Sequence, residues 1–213
     1  IGMLDLATLK EPIVLLANGD FPKHKIPLNE LDVSGTIICS DGSVKSLSDY
    51  GKKPHAIIGD FDSISKKLKE DFKDILIYRP DQSENDLQKS LQWIKECGGK
   101  SVTILGASGK REDHFLGNIF LILQLNTTMN IKMITDYGRF HVVKKSNLFN
   151  GYRGQKVSLF SIDKSIRITT KGLQYPLQDQ PLNTLYRGTL NTMIDDQFSV
   201  NISHGQILVY CAF

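Results

Sequence analysis

Cysteine is scarce in this 213-residue chain: Cys39, Cys97 and Cys211 are far apart and odd in number. No C-x-x-C pair occurs, so neither a disulfide framework nor a thiolate zinc site is expected. Two of the three fall inside apolar runs, which predicts buried free thiols and a reducing compartment, the cytoplasm. No apolar run approaches the roughly 20 residues that span a bilayer, so no membrane partner is expected. The N-terminus lacks the basic-then-apolar order of a secretory leader. A dominant charge sign is missing too: 26 Lys and Arg stand against 23 Asp and Glu. The excess of +3 is spread along the chain, which leaves no footprint for nucleic acid. Two nucleotide signatures are also absent. Gly106-Ala107-Ser108-Gly109 has only two residues between its glycines, with Arg111 following Lys110, so it is not the G-x-x-x-x-G-K-[ST] phosphate loop. No G-x-G-x-x-G follows the first strand-like run, and no fixed-period repeat or low-complexity segment occurs.

What is present begins with short β-branched runs: Ile13–Ala17, Thr36–Cys39, Ala56–Ile58, Ile75–Tyr78, Ser101–Leu105 and Ile131–Thr135. Continuous apolar runs of this length suit strands buried on both faces of a parallel sheet. Between them, Leu87, Leu91 and Ile94 repeat at helical spacing, with Ser83 or Asn85 as the N-cap. Phe115–Leu125 is apolar nearly all round and is expected to be a deeply buried helix. Alternating strands and helices predict a doubly wound, mostly parallel α/β domain over 1–137. From 138 to 213 the texture changes to short alternating runs separated by turns: Phe140–Val143, Lys156–Phe160, Ser165–Thr170, Gln197–Ser203 and Gln206–Tyr210. An antiparallel β-sandwich is expected there, with His204-Gly205 as a hairpin turn joining the last two strands.

Acids fall where the strands end. Asn18-Gly19-Asp20 closes the first run, Ser40-Asp41-Gly42 the second and Gly59-Asp60-Phe61-Asp62-Ser63 the third; the fourth leads into Asp81-Gln82 and Asn85-Asp86. Ligands of open α/β sheets bind beyond the carboxyl ends of the strands, so these side chains are expected along one rim. Asp, Asn and Gly also make turns and caps there, but four successive strand ends each supplying a carboxylate favour a site. Clustered carboxylates repel unless a cation neutralises them. Magnesium, with its oxygen ligands and room for phosphates, is the simplest solution, held by Asp60, Asp62 and Asp86. Arg111, behind the glycine-rich 106–109 stretch, offers a planar, permanently charged fork for phosphate. Asp113 is expected to cap the following helix and fix Arg111, and His114 to be a packed or hydrogen-bonded histidine and not a base.

These motifs resemble the thiamin pyrophosphokinase family over nearly the whole chain. Gly59-Asp60-Phe61-Asp62-Ser63 looks like its G-D-x-D-S motif, and Asp81 to Asp86 its D-Q-x-x-T-D pattern, with Asn85 where threonine is usual. Gly109 to His114 resembles G-x-R-x-D-H, with Asn118 following, and Gly172 to Leu177 resembles G-L-x-Y-P-L. The later serine-asparagine element departs: here it is Gly188-Thr189-Leu190-Asn191, with Leu190 in the serine's place. The resemblance implies transfer of a diphosphate from ATP to the hydroxyl of thiamin, a magnesium requirement, and a homodimer with shared active sites. It implies catalytic roles for Asp60, Asp62, Asp86, Arg111 and Asp41, and ATP or phosphate contacts from Gln82, Asn85, Gly109, Arg111 and Asp113. Asp41, Thr189 and Asn191 would face thiamin. A magnesium-dependent phosphohydrolase, or a non-catalytic nucleotide- or thiamin-binding protein, is the alternative.

Overall fold

A computed structural model describes residues 9–213; the start of the chain, on which the expectation about a leader and the beginning of the first domain falls, lies outside the described residues. The chain divides into two compact units. The first extends to Leu121 and takes in Asn126–Asp136; the second comprises Ile122–Leu125 and Tyr137–Phe213.

The elements of the first part are β1 (Ile13–Leu16), α1 (Lys25–Asp32), β2 (Thr36–Ser40), α2 (Ser43–Asp49), β3 (Ala56–Gly59) and α3 (Lys66–Asp71). They continue with β4 (Leu76–Tyr78), α4 (Asp86–Glu96), β5 (Ser101–Leu105), α5 (Glu112–Gln124) and β6 (Asn130–Ile134). Strands β6-β5-β1-β2-β3-β4 lie side by side in that order, every neighbouring pair parallel. All residues of β1, β2 and β3 are buried, the burial that continuous apolar runs predict when helices cover both faces. Consecutive strands β1 to β4 move outward in one direction, and the chain then returns to place β5 on the other side of β1. That reversal makes the β1–β5 junction the switch point, where a crevice opens beyond the strand ends.

The second part holds β7 (Gly138–Val143), β8 (Ser146–Asn150), β9 (Lys156–Phe160), β10 (Arg167–Lys171), β11 (Gln180–Pro181), β12 (Asn191–Thr192), β13 (Gln197–Ile202) and β14 (Ile207–Ala212). Antiparallel pairings give two layers, β12-β9-β14-β7 and β11-β10-β13-β8. Their shared core includes Val157, Leu159, Ile168, Phe198, Val200 and Val209, with Phe149 stacked on Phe198 at 4.7 Å between ring centres.

Two expectations are corrected. β13 and β14 are not a hairpin: β13 pairs with β8 and β10, whereas β14 pairs with β7 and β9. The His204-Gly205 turn, with Gly205 at φ +66, carries the chain from one layer to the other, because both strands bury alternate apolar residues into the same core from opposite sides. Phe115–Leu125 is helical but not deeply buried. Only Ile122 and Leu123 of α5 are buried, while Leu116 and Phe120 are 53% and 40% exposed. The last turn is the packed one, and its carbonyls at Ile122, Leu123 and Leu125 accept from the Gln206 amide at 3.2, 2.9 and 3.1 Å. Such side-chain donors satisfy the acceptors that every helix end leaves over. Among the described residues no helix is long and apolar enough to cross a membrane.

Candidate active site

Backbone hydrogen bonds lace the loops after β1 and β5 together. Ala17 N–H donates to Leu105 O at 2.8 Å, Gly19 N–H to Gly106 O at 2.6 Å and Asp20 N–H to Ser108 O at 2.8 Å. A Cβ on Gly109, whose φ is +78, would fall 2.1 Å from an Asp20 carboxylate oxygen, so glycine is required for this close approach. The next residue, Lys110, donates from Nζ to Asn18 O at 3.1 Å and to its Oδ1 at 3.3 Å.

Beyond these loops lies a cavity of about 620 Å³, lined entirely from the first unit, within the range of small-molecule sites. Its acidic wall holds Asp60, Glu84 and Asp86, and its basic side Lys110 and Arg111, with Lys89 among the acids. Gln82, Asn85, Gly109, Asp113 and His114 complete the part that concerns chemistry. Asp60 stands just past β3: its Oδ2 accepts from Gln82 Nε2 at 2.9 Å and its Oδ1 from Asp62 N–H at 3.2 Å. The Gln82 bond, followed by the Asp62 N–H, holds the Asp60 carboxyl below its ordinary value, since both bonds favour the charged form. Phe61 takes a left-handed backbone (φ +66) and is buried near Tyr78. Asp62 on its far side is exposed and is not part of the cavity wall.

α4 begins at this wall. Asn85 is its N-cap, its Oδ1 accepting from Gln88 N–H at 2.8 Å, and Asp86 is the first helical residue. Burial pushes the Asp86 carboxyl up; the Lys89 ammonium opposes that shift, while the Asp41 and Asp60 charges reinforce it. Asp86 therefore senses the charges of two strand-end acids. Asp41 is itself buried and left-handed (φ +41). Its Oδ2 accepts from the Ser63 hydroxyl, and its Oδ1 has no partner among the described residues.

Arg111 and Asp113, both on the cavity, form a two-point pair, Nε to Oδ1 at 3.0 Å and Nη2 to Oδ2 at 2.5 Å. The pair lowers the Asp113 pKa and raises that of Arg111. Asp113 Oδ1 also accepts from His114 N–H at 2.9 Å. His114 is exposed on the cavity, so of the packed or hydrogen-bonded states expected for it the packed one is not seen.

Among the described residues no group of three acid, histidine or cysteine side chains converges on one point to hold a metal. Asp60 and Asp86 share the cavity; Asp62 does not join them. Two carboxylates nevertheless fit magnesium, which takes one or two from a protein and fills its octahedron with water and phosphate oxygens. The unpartnered Asp41 Oδ1 adds unsatisfied negative charge behind them.

Thr189 and Asn191 belong to the second unit. Thr189 Oγ1 donates to Tyr186 O at 2.7 Å. Asn191 is buried and braces Tyr175 through both ends of its amide, at 2.8 and 3.1 Å. Leu190 between them is 85% exposed with φ +61. Sequence reasoning missed Lys89, Lys110 and Glu84 in the cavity; the helical spacing of Lys89 from Asp86 was a usable signal.

Two family models match the chain. The thiamin pyrophosphokinase catalytic domain matches residues 28–134, about half of the chain, and the substrate-binding domain of the same enzyme matches residues 138–210. The chain belongs to the thiamin pyrophosphokinase family. The thiamine pyrophosphokinase of Bacillus subtilis (strain 168) is 28% identical over 183 residues, covering 78% of this chain and 82% of that protein. Thiamine pyrophosphokinase 1 of Oryza sativa subsp. japonica is 26% identical over 174 residues, 74% of this chain and 65% of the rice protein. A crystal structure of the Bacillus subtilis enzyme superposes with a TM-score of 0.78 at 23% identity, over 94% of this chain and 98% of that one. Thiamin pyrophosphokinase from Candida albicans gives 0.76 at 17% identity, over 94% and 89%. These likenesses carry the fold, a mostly parallel α/β part followed by an antiparallel part, as the strand runs predicted. Neither the phosphohydrolase reading nor the non-catalytic one is supported by these relatives.

Proposed function

We propose that this family member transfers the diphosphate of ATP to the primary hydroxyl of thiamin, giving thiamin diphosphate and AMP. The observation that carries this reading is the switch-point cavity, whose lining brings Asp60, Asp86 and Arg111 together with Gln82, Asn85 and Gly109. Acids and a guanidinium in one cavity suit a cation–polyphosphate ligand better than either charge alone would. The hydroxyl oxygen attacks the β-phosphorus, and the bond from that phosphorus to the bridging oxygen breaks. The oxygen leaves with AMP, and the hydroxyl proton passes to solvent. Little covalent work is asked of the protein; positioning and charge stabilisation dominate such transfers. Arg111, pre-oriented by Asp113, neutralises charge growing on the bridging oxygen. Gln82 and Asn85 hold phosphate or bound water, and Gly109 lets the backbone approach.

Magnesium would be held by Asp60 and Asp86, with Asp62 reaching it through water, and would neutralise phosphate oxygens when bound. Asp41 would orient the hydroxyl or the thiazolium end of thiamin. In this reading residues 1–137 form the nucleotide- and metal-binding domain and 138–213 the thiamin-binding and dimerisation domain, with Thr189 and Asn191 on the thiamin side. A homodimer with shared sites is supported by the outward Leu116 and Phe120 of α5, since apolar helix faces seldom stay solvated; sedimentation equilibrium tests it. A reducing cytoplasm agrees with the three free cysteines, two of them, Cys39 and Cys211, pushed up to about 12 by burial.

The experiment is to incubate the protein with ATP, magnesium and thiamin and separate the products. Thiamin diphosphate and AMP in equal amounts are expected. ADP with thiamin monophosphate would contradict attack at the β-phosphorus, and inorganic phosphate without thiamin consumption would contradict the transfer.

A further inference from the structure

We propose that Lys89 binds the β,γ-phosphate part of the nucleotide, exchanging Asp86 for a phosphate oxygen when the triphosphate enters. This rests on the ATP reading above.

Lys89 lies in the second turn of α4, and its side chain is only 3% exposed. An ammonium brings three donors, and burying one is costly unless it is paired. Yet the side chain has one acceptor among the described residues, Asp86 Oδ1, at 3.4 Å, beyond the usual 2.7–3.2 Å range of N–H···O bonds. A lysine serving only as counter-ion to Asp86 could do so from solvent, as three-apart pairs on helix surfaces do. This one is instead enclosed at the cavity beside Ser40, Asp60 and Asp86, under-supplied with acceptors. Its charge also lowers the carboxyls of Asp60 and Asp81, so its influence is not confined to Asp86.

The missing acceptors are what a polyphosphate supplies. Any cation that engages Asp86 releases the ammonium, and a bound phosphate then supplies it with acceptors. Arg111 lines the same cavity, and in this assignment the two cations bracket the bond to be broken. Lys89 on the transferred part and Arg111 on the leaving oxygen give the site a preference for the triphosphate over AMP.

The test is calorimetric titration with α,β-methylene-ATP, which cannot be cleaved at the transferred bond, and with AMP, in magnesium chloride buffer. Wild type is compared with Lys89→Met, which keeps length without charge, and Lys89→Gln, which keeps a donor toward Asp86; thermal melts verify folding. A charge-assisted hydrogen bond in a closed site corresponds to an affinity change of about 10- to 100-fold. Both variants are expected to lose that much for the analogue while AMP affinity changes by no more than about twofold. Wild-type affinity for the analogue in either folded variant, or equal losses for both nucleotides, would overturn the assignment and leave Lys89 a support for Asp86. A wild-type protein that binds no analogue would instead refute the ATP reading itself.

Discussion

Asn85 holds the acidic wall in place through a single hydrogen bond, and a short substitution series isolates that role. Its Oδ1 caps α4 at Gln88 N–H, 2.8 Å away, and the next residue is Asp86. Loss of an N-cap side chain costs about 1 kcal/mol. For a chain of this size, that lowers the melting midpoint by about 2–4 °C. Asn85→Ala should show this decrease, and Asn85→Thr, whose hydroxyl can accept the same bond, should stay within about 1 °C of wild type. Asn85→Asp should keep the midpoint but weaken ATP binding, because it adds a fourth carboxylate to Asp60, Glu84 and Asp86 in the cavity lining. The assay is built in: the chain has one tryptophan, Trp93, and it lies on α4, so fluorescence-detected melting reports on this helix. KM for ATP should rise in the alanine variant and not in the threonine one, because fraying of the first turn displaces both Asp86 and Lys89. An unchanged midpoint in Asn85→Ala, or a threonine variant that falls as far as the alanine one, would refute the role assigned to the cap.

Two further outcomes follow from the acids. Asp60 is held below its ordinary value of 3.8 by Gln82 and the Asp62 N–H, so its charge stabilises the fold above that ordinary value, and the contribution is lost as pH falls through the depressed one. Asp60→Asn should therefore flatten the acid limb of a urea-stability profile measured between about pH 5 and 2, and an unaltered limb would count against those two bonds. Ser63→Ala removes the one side-chain donor that the buried Asp41 carboxylate has among the described residues, where its other oxygen has no partner. It should cost about 1–3 kcal/mol by chemical denaturation.

Much of this was legible in the sequence because two independent periodicities agreed. Uninterrupted apolar runs marked β1, β2, β3 and β5, their alternation with helical segments marked the α/β class, and the acids after them marked the rim. The second part was harder. β8 (Ser146–Asn150) exposes four of its five residues, so it lacks the apolar alternation that identifies a strand, and only its pairing with β13 reveals it. The crossing of β13 and β14 between layers is likewise a tertiary fact, since a hairpin and a layer switch both need a tight turn at Gly205. α5 misled because hydrophobicity was equated with burial; Leu116 and Phe120 are apolar and exposed. Lys89 escaped for the opposite reason. At 100° per residue it sits about 200° from Leu87, on the face a helical wheel assigns to solvent, and yet it is buried at the cavity. Asp62 stands one residue beyond Asp60, yet of the two only Asp60 lines the cavity.

The central claim is that the carboxylates of separate strand ends act together on a nucleotide in the switch-point cavity, and Asp86→Asn tests it most directly. Burial, with Asp41 and Asp60, raises the Asp86 pKa against the pull of Lys89. Its ionised form therefore costs stability above the raised value, and that cost vanishes as pH falls below the ordinary one. The neutral isostere should accordingly melt no lower than wild type at pH 7, while kcat for thiamin diphosphate formation falls by about 100-fold or more, the scale of losing one preorganised charge at a reacting centre. A variant that is folded and turns over at the wild-type rate would contradict the account.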